Sequence, residues 1–305
     1  MAHPRSILDL TWREIADLPK ERSAVFVVIA PVEEHSHHLP LGTDIFEGQH
    51  WLEGALTRLA NRFPDYELLT LPSVPLAVGS SYGFPGCMHL RQATMQRVGR
   101  ELLNRVAAWG IRNIVVIASH GDPRHQIAIE EACSQVNRKH GVCAFSPLGA
   151  FFSARELGID LNLPAEVAQE MAASPNDFHA GWIETSMMLT LAPEKVREGW
   201  QQLPDCSVRE TDMIFPRRIA RAIAGFGHIG APRRASAALG AVLNANVADY
   251  LAEAVASFFK RDGYERYQHH ALYRMPFLRT GFLSKALWMA AVALTAAIAA
   301  WRWLR

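Results

Sequence analysis

The stretch P-V-E-E-H-S-H-H-L-P-L-G-T-D, residues 31–44, gathers Glu33, Glu34, His35, His37 and His38 and adds Asp44 after a Pro40/Gly42 turn. Glu33 and His35 are two apart, so on an extended chain both side chains face one side. The turn can bring Asp44 back beside them. A glutamate, a histidine and an aspartate converging in this way suit Zn²⁺, Mn²⁺ or Fe²⁺, with the aspartate able to bridge two ions. A histidine-rich polar loop would look the same, so this stretch alone leaves both readings open. His120, in S-H-G-D (119–122), offers a ligand from elsewhere in the chain, and Asp122 can serve as a further ligand or as a carboxylate behind one. In D-F-H-A-G-W-I-E-T-S (177–186), His179 and Glu184 are five apart. Glu184 lies in an otherwise apolar helical run, where an unpaired carboxylate is costly to bury. A cation would satisfy it.

These residues need elements to hold them. V-F-V-V-I-A (25–30) and N-I-V-V-I-A (113–118) are short β-branched runs, each ending where one of the polar clusters begins. Further strands are expected within 67–76 and 142–148. Helices are expected over 91–110 and 124–141, each closing on a glycine. This alternation predicts an α/β fold, a mostly parallel sheet with helices on both faces. Ligands in such sheets sit beyond the carboxyl ends of the strands, which puts both clusters on one edge. Later, a helix is expected around 183–191, then a Gly/Pro-marked loop at 227–240 leading into a helix, with a second helical run to about Lys260.

With 305 residues, half of them hydrophobic, the chain can bury a substantial core as one large domain or two small ones. Its 31 basic and 30 acidic residues form no basic block, which argues against nucleic acid and for a small-molecule partner. Four cysteines without a C-x-x-C pair fit a reducing compartment. The first twenty residues lack the apolar stretch of a secretion signal, so a cytoplasmic location is expected. Ala286–Trp301 is uncharged, bounded by Lys285 and Arg302 and marked by Trp288, Trp301 and Trp303. As a helix it spans about 24 Å against about 30 Å of hydrocarbon, a gap that snorkelling of the flanking cations can close. A C-terminal anchor to the inner face of the cell membrane is the expectation. Half the run is alanine, and an oligomer-packing or interfacial helix is the alternative.

Together the three polar segments resemble the creatininase family of metal-dependent amidohydrolases. Its hallmarks are E-x-H-G-x-H-L-P-L-x-T-D, an N-G-H-G-G-N-like stretch and D-x-H-A-G-x-x-E-T-S, matched here in order across about residues 10–260. The resemblance implies metal ligation by Glu33, His35 and Asp44, with Asp44 bridging, and by His120 and Glu184. It implies proton transfer by His179. Asp122 stands where creatininase itself has a ligating glutamate, and His38 falls on the histidine of H-L-P. Departures are Ala30-Pro31 for G-S, Ser36-His37 for G-P, a second motif without its asparagines, and G-S-S-Y-G-F-P-G-C (79–87), which loses a histidine and ends on Cys87 instead of threonine. Tyr82 and Trp182 are candidates for the pocket wall or, equally, for aromatic packing in the core, and His228 of G-H-I-G-A-P is expected to be structural or at a subunit contact.

The implied organisation is a creatininase-like three-layer domain over 1–265, a linker at 266–280 and an apolar helix at 281–305. The implied activity is hydrolysis of a non-peptide C–N bond, in an amide, cyclic amide or formamide, by a metal-activated water. Two divalent ions (Zn, Mn or Fe) per subunit and a homo-oligomer go with it. Asp122 or a neighbouring carboxylate would take the water's proton and His179 would deliver one to the leaving nitrogen. The alternatives are a peptidase that trims a short peptide, or a catalytically altered, membrane-tethered assembly protein.

Overall fold

Five strands, β1 (Arg5–Ser6), β2 (Ser23–Val28), β3 (Glu67–Thr70), β4 (Asn113–Ile117) and β5 (Cys143–Phe145), form one sheet in the order β1-β3-β2-β4-β5. Every pairing is parallel. The computed structural model describes residues 4–79, 83–209, 212 and 215–303. Among the described residues eleven α-helices accompany the strands: α1 (Trp12–Asp17), α2 (Thr43–Arg62), α3 (Gln92–Ala108), α4 (Pro123–His140), α5 (Leu148–Phe152), α6 (Ala154–Leu157), α7 (Ala165–Ala173), α8 (Trp182–Leu191), α9 (Pro216–Ile223), α10 (Ala237–Lys260) and α11 (Phe282–Trp303).

Alternation along β2 builds the layers. Ala24, Phe26 and Val28 join a core with Trp51 and Leu56 of α2, Met187 of α8 and Val247 of α10. Val25 and Val27 face the other way, against Met95 and Leu103 of α3 and Ile129 of α4. Being covered on both faces, β2 is buried along its whole length, as central parallel strands are. This is the α/β fold expected, with helices on both faces of a parallel sheet. β1, two residues long and apolar at neither, carries no periodic signal that would have foretold it.

The expected pair of helical runs after residue 227 is one helix. α10 starts at Ser236, whose Oγ accepts from Leu239 N at 3.2 Å, and runs unbroken for 24 residues because nothing inside it breaks a helix except Gly240. That glycine has another purpose. A Cβ there would lie 1.8 Å from the Ser186 carbonyl oxygen, so α8 and α10 touch backbone to backbone at this point. Gly240→Ala is expected to cost about 1–3 kcal/mol through overpacking, seen as a lowered thermal midpoint. A midpoint equal to that of wild type would show that α8 can slide freely.

Residues 266–280, expected as a linker, pack onto the body as short 3₁₀ turns. Tyr267 is buried, His270 N donates to Glu130 Oε1 at 2.8 Å, and Arg279 Nε donates to Glu131 Oε1 at 2.7 Å. Burial pushes the Glu130 carboxyl up to about 7, against the opposing pull of His269 and the His270 N–H. A raised folded-state value means that the native state holds the proton longer. This contribution is therefore present at low pH and is lost between the unfolded carboxyl's range of about 4.3 and about 7. Glu130→Gln is expected to remove about 3 kcal/mol of the stability lost between pH 4 and pH 8, read from denaturant unfolding at both. An unchanged difference would place the titration elsewhere.

The expected transmembrane anchor is corrected. α11 exists, with Leu283, Leu287 and Trp288 largely exposed, yet among the described residues no helix is long and apolar enough to cross a membrane. Its alanines contribute too little hydropathy, and its uncharged stretch is shorter than the hydrocarbon core.

Candidate metal centre

The carboxyl ends of β2 and β4 deliver the site. Beyond β2 the chain stays tied to the sheet, Ile29 N donating to Ile117 O and Ala30 N to Val74 O, and then folds back on itself through Glu33 N to Leu41 O at 3.0 Å. Ser36 takes a positive φ of 62° at the bend. The returning chain enters α2 at Thr43, which places Asp44 in that helix's first turn, where its backbone oxygen accepts from Ser119 Oγ at 2.8 Å. His120 follows β4 directly. The third segment is held by Asp177, whose carboxylate accepts from the backbone N–H of Trp182, Ile183 and Ala231 and so caps α8. Ala180, at φ 48°, turns His179 and Glu184 toward the same point.

Six of the predicted residues meet there. His35 Nε2 lies 3.6 Å from Asp44 Oδ2 and 3.8 Å from Glu184 Oε2. His120 Nδ1 lies 3.5 Å from Glu33 Oε1 and 3.7 Å from Asp44 Oδ2, and His179 Nδ1 lies 3.7 Å from Glu33 Oε1. They form three overlapping donor groups: Glu33/Asp44/His120, His35/Asp44/Glu184 and Glu33/His35/His179. Each histidine is oriented by its other side or by its element. The ring of His35 faces the Glu33 carbonyl through Nδ1 at 3.1 Å, and that of His179 faces the Glu34 carbonyl through Nε2 at 2.8 Å. Ligating imidazoles are held in just this manner.

The donor set fits a cation. His35 Nε2 and Asp44 Oδ2 are buried and reach no hydrogen-bond partner among the described residues, although they face each other. A divalent ion between them would satisfy both, whereas without one such burial is unfavourable. The charges agree. Burial opposes ionisation of Glu33, yet His120, His89 and His179 hold its carboxyl well below the usual range. Burial would depress His120, but the Glu33 and Asp44 carboxylates outweigh it and hold the imidazole up to about 10. His179 is likewise raised, against its burial, by Glu34 and Glu33, and Glu184 is raised by burial.

Asp122 does not join these groups. It is the N-cap of α4, its Oδ1 accepting from Arg124 N at 2.7 Å and from His125 N at 3.4 Å; it lines the cavity wall, and its charge helps to raise His120. His38 Nε2 pairs with Thr185 Oγ1 at 2.7 Å, and burial, with His228 nearby, lowers its pKa to about 3. It supports α8 as a neutral ring. His228 is buried with Nε2 on the Pro204 carbonyl, in a structural place. Trp182 is buried in the core and not in the pocket; Tyr82 lies outside the described residues.

Sequence reasoning passed over three residues. Glu34 is given no role by the sequence, yet its Oε1 lies 3.2 Å from His179 Nε2. Glu47, one helical turn beyond Asp44, is fully buried on the cavity wall, and burial beside Glu184 and Asp44 raises its pKa well above normal. The i, i+3 spacing of the two acids is the signal that could have shown it. His89 sits at 2.7 Å from Glu33 Oε2, two residues past the stretch that lost a histidine. Its ring positions the carboxylate, so His89→Ala is expected to weaken metal affinity 10–100-fold, with His89→Gln recovering part of it. A metal titration indistinguishable from wild type would assign His89 to packing alone.

The donor cluster opens on a cavity of about 380 Å³ whose wall includes Glu33, Asp44, His120, His179 and Glu184.

The comparisons with known proteins agree with this geometry. The family model for creatininase, described as creatinine amidohydrolase, matches residues 8–255. A crystal structure of creatinine amidohydrolase (creatininase) superposes with a TM-score of 0.61 at 21% identity, covering 83% of this chain and 97% of that one. A manganese creatininase structure gives 0.61 at 20%, and a creatininase variant of Zn–Zn type gives the same values, each covering 83% of this chain and 98% of the other. No curated protein matches the chain. At these identities the solved structures establish the fold, and the family model, spanning most of the chain, establishes the lineage: this chain belongs to the creatininase family.

Proposed function

We propose that the protein is a two-ion hydrolase of a non-peptide C–N bond, in a small amide, cyclic amide or formamide. The overlap of the three donor groups carries this reading. Glu33, His35 and Asp44 each belong to two of them, which is the arrangement expected of residues that surround two neighbouring ions. Glu33, Asp44 and His120 would hold one ion and His35, Asp44 and Glu184 the other, with Asp44 shared. All-N/O donors suit Zn²⁺, Mn²⁺ or Fe²⁺, and relatives with zinc and manganese are among the solved structures. When bound, such ions supply Lewis acidity and lower the pKa of a bound water toward about 7.

The remaining residues manage protons and position. His179, tied through Nε2 to Glu34 and facing the cluster through Nδ1, is placed to carry a proton to the leaving nitrogen. In the metal-free protein Glu34 and Glu33 raise its pKa against its burial. Glu34 fixes the ring, and Ser36 N in turn fixes Glu34 Oε2 at 3.0 Å. Asp122, with Oδ1 committed to the first turn of α4, holds that edge of the cavity. Metal analysis of the purified protein, paired with an amide and formamide screen, is the test. Two ions per chain and turnover are expected; a protein that takes up no transition metal when loaded would end the proposal.

A further inference from the structure

The cavity wall changes character away from the donors. Phe151, Leu163, Met187, Ile219, Ile223 and Val247 bring carbon to it from four helices, α5, α8, α9 and α10, and a loop. Polar side chains on the wall outside the metal cluster are mostly committed elsewhere. Ser119 donates to Asp44 O, Asp177 is engaged by three backbone N–H groups, and Asn246 Nδ2 donates to Leu161 O at 2.6 Å, which leaves Asn246 Oδ1 and Glu47 Oε1 as the buried wall acceptors without a partner among the described residues. A small polar amide with several donors and acceptors would lose its hydration against this wall with few partners to replace it. An apolar substituent would lose nothing, and it would gain by leaving water.

We infer that the substrate is an amide carrying one bulky apolar substituent, which fills the carbon-lined part of the cavity while the C–N bond lies at the donor cluster. The inference rests on the hydrolase reading for the position of the bond, and on the cavity alone for the substituent. Pockets of about 300–1,000 Å³ accept small molecules whole, and 380 Å³ lies at the small end. One compact group fits; a long acyl chain does not.

Two series separate the possible sides of the bond: n-alkanamides place the alkyl group on the carbonyl, and N-alkylformamides place it on nitrogen. With metal-loaded protein, kcat/KM is expected to rise about fourfold per methylene from methyl to hexyl in one series. Ile219→Asp and Leu163→Asp, at half-buried wall positions, should flatten that rise while leaving metal content as in wild type. Turnover of small polar amides with no chain-length dependence would overturn the inference and leave the hydrolase reading standing. If no amide turns over, the hydrolase reading fails, and binding decides the rest. Quenching of the intrinsic tryptophan fluorescence, assigned to cavity-lining Trp51 by its loss in Trp51→Phe, should then still report tighter binding with each methylene, lost in Ile219→Asp. Affinity independent of chain length would overturn it.

Discussion

Asp44→Asn is expected to abolish the two-ion centre: turnover falls by about 10³-fold or more, and the metal-dependent gain in stability disappears. Asp44 Oδ2 faces both His35 and His120, so one substitution removes a donor from both groups that would hold the ions. The stability arm separates a ligand from a structural residue. Metal at about 100 times its Kd stabilises the folded state by about 2.7 kcal/mol, a rise of roughly 4 °C for a chain of this size. Wild type should show that rise on loading and Asp44→Asn should not. The metal-free variant should be somewhat less stable than metal-free wild type, because it loses the carboxylate that faces the His120 imidazolium, so each protein's gain is read against its own metal-free form. A variant that still gains stability from metal, or that keeps turnover within tenfold, would remove Asp44 from the bridge.

How much of this was legible depends on where the signal resides. The parallel sheet was readable because β2 and β4 are continuous β-branched runs that stop at polar clusters, and parallel topology places those clusters together. Glu33, His35, Asp44, His120, His179 and Glu184 were readable because chemistry restricts their types, and each lies close in sequence to an element's end. Partners reached through the fold were not readable. His89 comes to Glu33 from a loop 56 residues on, and nothing local to it distinguishes it from a surface histidine. Asp122 shows the opposite ambiguity. Its place after a strand and before Pro123 also describes an N-cap, and the helix N–H groups took it. In the tail, charge-free length suggested a membrane span, while alanine content decided against it.

Proton release on metal binding should distinguish the roles of the two most strongly raised histidines. In the metal-free protein the Glu33 and Asp44 carboxylates overcome burial and hold His120 up to about 10, so at pH 7 its ring is an imidazolium. An imidazolium cannot ligate, and binding must expel the proton. Affinity should therefore rise about tenfold per pH unit through His120 alone, or about 10³-fold between pH 6 and pH 9. His179 is also raised, by Glu34 and Glu33 against its burial, but as proton carrier it should keep its proton when the ions arrive. Calorimetric titration of the apo-protein in buffers of different ionisation enthalpy counts the protons released. His120→Gln should lower the count by one, and His179→Gln should leave it unchanged. A loss of one proton in His179→Gln would move that residue into the ligand set with Glu33 and His35, where its Nδ1 already faces. The leaving nitrogen would then have to be protonated by another group. Glu47 is the buried carboxyl on the cavity wall whose raised pKa equips it for that task.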